Sequence, residues 1–142
     1  MSYLFVALSY LIGSINFAYL VAKYKKLDIS SSGSGNPGTS NVMRTIGKKY
    51  AAIVLIGDVF KGFIPIFLFD ENLLLCGFAA VIGHIYPIFY KFKGGKGVAT
   101  YIGVYIAFST LNPISYDLFE SSYFLFLNLS LIHIWRCRRK KA

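Results

Sequence analysis

The sequence predicts an all-α, polytopic integral membrane protein with about four to five transmembrane helices and its N-terminus outside. Three observations carry that expectation: long apolar runs, few charges, and a one-sided placement of the charges that remain. Of 142 residues, 56% are hydrophobic and only 15% are charged, whereas soluble domains run nearer a quarter charged. Fifteen Lys and Arg stand against six Asp and Glu. A basic soluble protein would point to nucleic acid, but that reading needs cations spread over a folded surface. Here they cluster between apolar runs, so no nucleic-acid partner is expected.

Residues 3–22 are twenty consecutive uncharged residues. At about 1.5 Å rise per residue they cover roughly 30 Å, the thickness of a bilayer core. A signal peptide would carry positive charge before its apolar run and a cleavage site after it; here Lys23, Lys25 and Lys26 follow the run. Further spans are expected at residues 50–69, despite Asp58 and Lys61, and at 72–90 and 97–116. A fifth is expected at 118–135, weakened by Glu120. If spans alternate, Lys23, Lys25, Lys26, Arg44, Lys48, Lys49, Lys91, Lys93 and Lys96 share one side. Asp70, Glu71 and Asp117 fall on the other, so the basic loops are placed in the cytoplasm. Pro65 and Pro87 are expected to kink their helices near the ends. Cys76 and Cys137 show no metal or redox spacing, and Cys76 reads as a small buried thiol.

The C-terminal stretch LSLIHIWRCRR, residues 129–139, resembles translated sequencing-adapter DNA with a UGA codon read as Trp135. On that reading residues 1–128 are the membrane core and residues 129–142 are a non-native tail, to be set aside from fold reasoning. His133, Trp135, Cys137 and five basic residues would then be foreign, which lowers the formal charge from +9 to +4. The topology above does not use them.

Two loops on the basic side have the composition of anion sites. Residues 30–44, SSSGSGNPGTSNVMR, combine three glycines with hydroxyls and two asparagines. Such a segment can turn sharply and present successive backbone N–H groups as a nest, while Arg44 adds a planar fork suited to phosphate. Gly33, Gly35 and Gly38 satisfy the dinucleotide spacing, but polar KLDISS precedes them where that motif needs a buried strand. The same residues miss a P-loop because Thr39 stands at the lysine position. The second loop, residues 91–97 (KFKGGKG), offers lysines, close backbone approach and the N-terminus of the following helix. Within the spans, Asp58 and Lys61 share one helical face, either as a structural ion pair or as lining of a site. His84 reads equally as a packing or a catalytic histidine.

Taken together, GSGNPGTSNVMR, GDVFKG and GHIYPIFYKFKGGKGVAT resemble the bacterial acyl-phosphate:glycerol-3-phosphate acyltransferase family (PlsY), over roughly residues 1–110. The resemblance implies transfer of an acyl group from acyl phosphate to the 1-hydroxyl of glycerol 3-phosphate, giving lysophosphatidic acid and phosphate in bacterial phospholipid synthesis. It implies a bacterial plasma-membrane protein with cytoplasmic active-site loops. Acyl phosphate, glycerol 3-phosphate and membrane lipid are the partners, without cofactor or metal. The family's first motif maps onto Ser34, Asn36, Thr39, Asn41 and Arg44, and its second onto Lys93 to Gly97. Ser34, Arg44 and Lys96 are expected to be catalytic. Gly33, Gly35, Asn36, Gly38, Thr39, Asn41, Lys61, His84, Lys93, Gly94, Gly95 and Gly97 are expected to bind substrate. Acyl phosphate is an activated anhydride, so the site must chiefly hold two anions, orient a hydroxyl and stabilise an oxyanion. The family's third motif, with a histidine, an asparagine and a glutamate, has no match after residue 110, so a truncated chain is expected. The alternatives are a small transporter or channel subunit, or an inactive remnant.

Overall fold

A computed structural model describes residues 2–111. The expected span at 118–135, the end of the span at 97–116 and the tail at 129–142 lie outside the described residues. Every regular element described is helical: α1 (Ser2–Ser14), α2 (Phe17–Tyr24), α3 (Thr39–Thr45), α4 (Lys48–Leu68), α5 (Leu73–Ile85), a 3-10 turn (Ile88–Tyr90) and α6 (Val98–Leu111). Among the described residues three stretches are long and apolar enough to cross a membrane, Tyr3–Tyr24, Lys48–Leu68 and Leu73–Tyr90, and Val98–Leu111 is a shorter apolar helix. These match the first four expected spans in position.

The first span differs from expectation in being broken. α1 stops at Ser14 and α2 starts at Phe17, with Asn16 extended between them at φ −106° and ψ 106°. The Asn16 side-chain oxygen accepts from the amides of Ala18 and Tyr19 at 3.0 and 3.2 Å, so it serves as the N-cap of α2, a position asparagine favours. The third span ends its α-helix at Ile85, because Pro87 cannot continue a helix and disfavours helical backbone at Tyr86 before it. Pro65, by contrast, lies inside α4, which runs on to Leu68.

Between spans, small residues bring backbones into contact. A Cβ on Gly13 would strike the Ala80 carbonyl, and one on Gly83 the Tyr10 carbonyl, which fixes α1 against α5. Gly62 faces the Thr100 carbonyl and Gly103 that of Val59, which does the same for α4 and α6. Lipid supplies no hydrophobic drive between helices, so close packing of this kind must hold them together. The buried hydroxyls of Ser9 and Ser14 donate to the Phe5 and Tyr10 carbonyls in their own helix.

Two apolar clusters result. Ile66, Cys76, Val81, Val104 and Phe108 fill the space among α4, α5 and α6. Ala18, Ala22, Ile29, Val42, Ala51 and Val54 join α2, the first loop and α3 to the first half of α4. Ile29 is 1% exposed; burying such a side chain is worth roughly 1.5–3 kcal/mol, so it pegs an otherwise polar loop to the helices.

Gly103→Leu should lower stability by about 1–3 kcal/mol through overpacking, read as earlier thermal unfolding in detergent. Ile102→Leu, on the exposed side of the same helix, should stay within about 0.5 kcal/mol.

Candidate active site

The break in the first span exposes a backbone carbonyl, at Ile15, that no helix satisfies. Lys61 reaches across from α4 and donates to it at 2.6 Å. The same ammonium lies 2.9 Å from Asp58 Oδ1, and both side chains are buried. A charge pair at this depth must face protein rather than lipid, and this one does. Asp58 Oδ1 is also 3.6 Å from His84 Nδ1, a charge–dipole contact too long for a direct hydrogen bond. Lys61, Asp58 and His84 thus form one buried cluster spanning the break in the first span, α4 and the end of α5.

The second motif loop folds back onto that end of α5. Its last carbonyls would be orphaned by the stop at Pro87. The Gly95 amide donates to the His84 carbonyl and the Gly94 amide to that of Ile85, both at 3.1 Å. Tyr10 donates its hydroxyl to the Tyr86 carbonyl at 2.8 Å. No side chain larger than hydrogen fits at the two glycines: a Cβ on Gly94 would meet the His84 and Ile85 carbonyls, and one on Gly95 the His84 imidazole. Lys91 and Phe92 both adopt left-handed backbone, at φ 52° and 59°, a strained pair held by amides of Phe92 and Lys93 bonding to the Pro87 and Tyr90 carbonyls.

The first motif loop is organised around Asn41, which is 2% exposed. Its oxygen accepts from the Ser34 amide at 2.9 Å, and its amide donates to the Ser32 and Ile29 carbonyls. Gly33 and Gly35 take left-handed backbone at φ 60° and 69°. The expected nest of free amides is not what forms. The amides of Ser34, Gly35, Asn36 and Gly38 are all used within the loop, because a compact loop against helices must pair its own polar groups. Asp28 anchors the upstream turn, accepting from the Ser30 hydroxyl at 2.6 Å and the Ser30 amide at 2.9 Å. These bonds hold its carboxyl below the usual carboxylate range.

The two loops meet. A Cβ on Gly95 would sit 3.1 Å from the Pro37 carbonyl oxygen, and Asn16 Nδ2 approaches that same oxygen at 3.5 Å. Within the two motif segments Ser34, Arg44, Lys93 and Lys96 are exposed, while Asn36, Gly38 and Thr39 are partly so. Gly97 takes φ 79° against Ile85 and immediately precedes α6, its carbonyl accepting from the Tyr101 amide at 2.8 Å. Lys61 and His84 stand behind the loops, committed to Ile15 and Asp58. Asn16, Tyr10, Ile29 and Pro37 were absent from the sequence expectation. Asn16 left a signal, as the one amide side chain in a twenty-residue apolar run.

Membrane-length apolar helices and two glycine-rich loops that meet at one end describe a multi-pass membrane protein, and comparison with known proteins supplies its family. Residues 3–139 match the family profile described as glycerol-3-phosphate acyltransferase, and the chain belongs to that family. It is 47% identical over 111 residues to the glycerol-3-phosphate acyltransferase of Aquifex aeolicus (strain VF5), covering 73% of this chain and 58% of that protein. It is 50% identical over 115 residues to that of Methylobacillus flagellatus, covering 75% and 58%. The crystal structure of PlsY (YgiH), an integral membrane glycerol 3-phosphate acyltransferase, in its glycerol 3-phosphate form superposes with a TM-score of 0.70. That match has 40% identity and covers 92% of this chain and 66% of that one. The lysophosphatidic acid form gives 0.68 and 45%, covering 77% and 57%. The chain spans 58% of the length of these curated relatives.

Asn41→Ala should unfasten the first loop at a cost of about 1–3 kcal/mol, seen as faster limited proteolysis between residues 30 and 38. Asp28, with its lowered carboxyl, stabilises the turn above the ordinary carboxylate range and loses that contribution as pH falls through its folded value. Proteolysis at this turn should therefore accelerate on acidification, and Asp28→Asn should flatten the pH dependence.

Proposed function

We propose that the chain carries the phosphate-binding portion of an enzyme that moves an acyl group from acyl phosphate to glycerol 3-phosphate. The 1-hydroxyl oxygen attacks the acyl carbon, and its proton ends on the departing phosphate. The bond from that carbon to the phosphate oxygen breaks, and lysophosphatidic acid and inorganic phosphate leave. The observation that carries the reading is the meeting of both motif loops at Pro37, Gly95 and His84, with exposed Lys93 and Lys96 flanking Gly95 in the chain. Relatives solved in glycerol 3-phosphate and lysophosphatidic acid forms support it.

On this reading Arg44, Lys93 and Lys96 neutralise the phosphates, and Ser34 donates a hydrogen bond from its hydroxyl. Asn36 and Thr39 line the loop, and its glycines allow close approach. Direct attack suffices because the donor is already activated, and preorganised cations stabilise the developing oxyanion. The basic loops face the cytoplasm of a bacterial plasma membrane, where the soluble substrate is found, and the acyl chain stays with lipid. A transporter would need its intramembrane charges along a wet path; the mutual burial of Asp58 and Lys61 favours the enzyme.

In protein expressed from the intact gene, Arg44→Ala and Lys96→Ala should each lower kcat/KM by about 10²–10³-fold with helix content and membrane insertion unchanged. Near-normal turnover of acyl phosphate and glycerol 3-phosphate by either variant would defeat its assigned role.

A further inference from the structure

We propose that Lys61, Asp58 and His84 are positioning residues of the acceptor site, a buried strut that sets the spacing between the two motif loops. The proposal rests on the acyltransferase reading above.

A continuous set of contacts joins one loop to the other through α4. Asn16 caps α2 with its oxygen and approaches the Pro37 carbonyl of the first loop with its amide, at 3.5 Å. The adjoining Ile15 carbonyl is held by Lys61 at 2.6 Å. Lys61 pairs with Asp58 at 2.9 Å, and Asp58 lies 3.6 Å from His84. The His84 carbonyl accepts from Gly95, whose backbone lies against the His84 ring. None of the three polar side chains is exposed, so none is offered to substrate as Arg44, Lys93 and Lys96 are. Buried charges tolerate few alternative arrangements, which makes the strut a rigid spacer. Glycerol 3-phosphate is held by cations from both sides of the junction. Its capture depends on that spacing, and misplacement by about 1 Å can cost on the order of 10²-fold.

The test uses detergent-purified protein from the intact gene, with KM measured separately for glycerol 3-phosphate and acyl phosphate. Lys61→Met should raise the glycerol 3-phosphate KM by about tenfold or more, with a rise for acyl phosphate as well because the same cations hold both phosphates, while kcat changes less. Lys61→Arg keeps the positive charge beside Asp58, so its glycerol 3-phosphate KM should rise less than that of Lys61→Met. The double variant Asp58→Asn/Lys61→Met removes both charges and should recover folded yield if Lys61→Met alone folds poorly. It should nevertheless keep the raised glycerol 3-phosphate KM, because the Ile15 carbonyl still lacks its donor. A wild-type glycerol 3-phosphate KM in the double variant would overturn the proposal, as would a loss confined to kcat. Absence of turnover by the wild-type protein would instead overturn the acyltransferase reading, and the strut's assigned purpose with it.

Discussion

A backbone carbonyl inside a bilayer has no water to accept from, and leaving it unpaired costs several kcal/mol. The first span of this protein interrupts its helix at Ile15 and Asn16, and the arrangement of neighbouring polar side chains follows from that interruption. The Ile15 carbonyl takes a hydrogen bond from Lys61. An ammonium at that depth demands a counter-charge, and Asp58, one helical turn away, supplies it at 2.9 Å. Removing one partner of such a pair typically costs about 3–5 kcal/mol. The charges of the second span are therefore tied to the break in the first. Asn16 repairs the other side of the interruption by capping α2, and its amide reaches toward the first loop.

The glycines divide into two kinds of work. Gly13, Gly83, Gly62 and Gly103 remove side chains where helices touch, so that α1 meets α5 and α4 meets α6 at backbone distance. Gly94 and Gly95 let a loop lie flat on the end of α5, where their amides replace the partners its last carbonyls lost at Pro87. Both uses need the absence of a Cβ. In the KGGKG loop the amides of both central glycines are thus bonded to protein, while Lys93 and Lys96 on either side stay exposed.

Much of the architecture was legible in the residues. Runs of uncharged apolar residues place Tyr3–Tyr24, Lys48–Leu68 and Leu73–Tyr90 because span length is set by bilayer thickness. The separation of three residues put Asp58 and Lys61 on one face, and the structure makes them an ion pair. The break in the first span was not legible, since hydropathy averages over a window and one asparagine barely changes it. The loop chemistry was read only in part. Glycine and hydroxyl content suggested free amides, whereas Asn41 and the loop's own carbonyls use those of Ser34, Gly35 and Gly38. Composition records how many donors a segment has, and folding decides which of them are already paired.

The sequence by itself determined the helical class, the positions of the spans and the three motif segments that carry the family likeness. Those depend on local hydrophobicity and on residue identity along the chain. Only the tertiary structure decided that the loops meet at Pro37 and Gly95, that Lys61 answers to Ile15, and that His84 stands behind a glycine instead of in the open. Each of these joins residues far apart in the chain. The requirement that buried polar groups find partners selects such pairings only after the helices have packed.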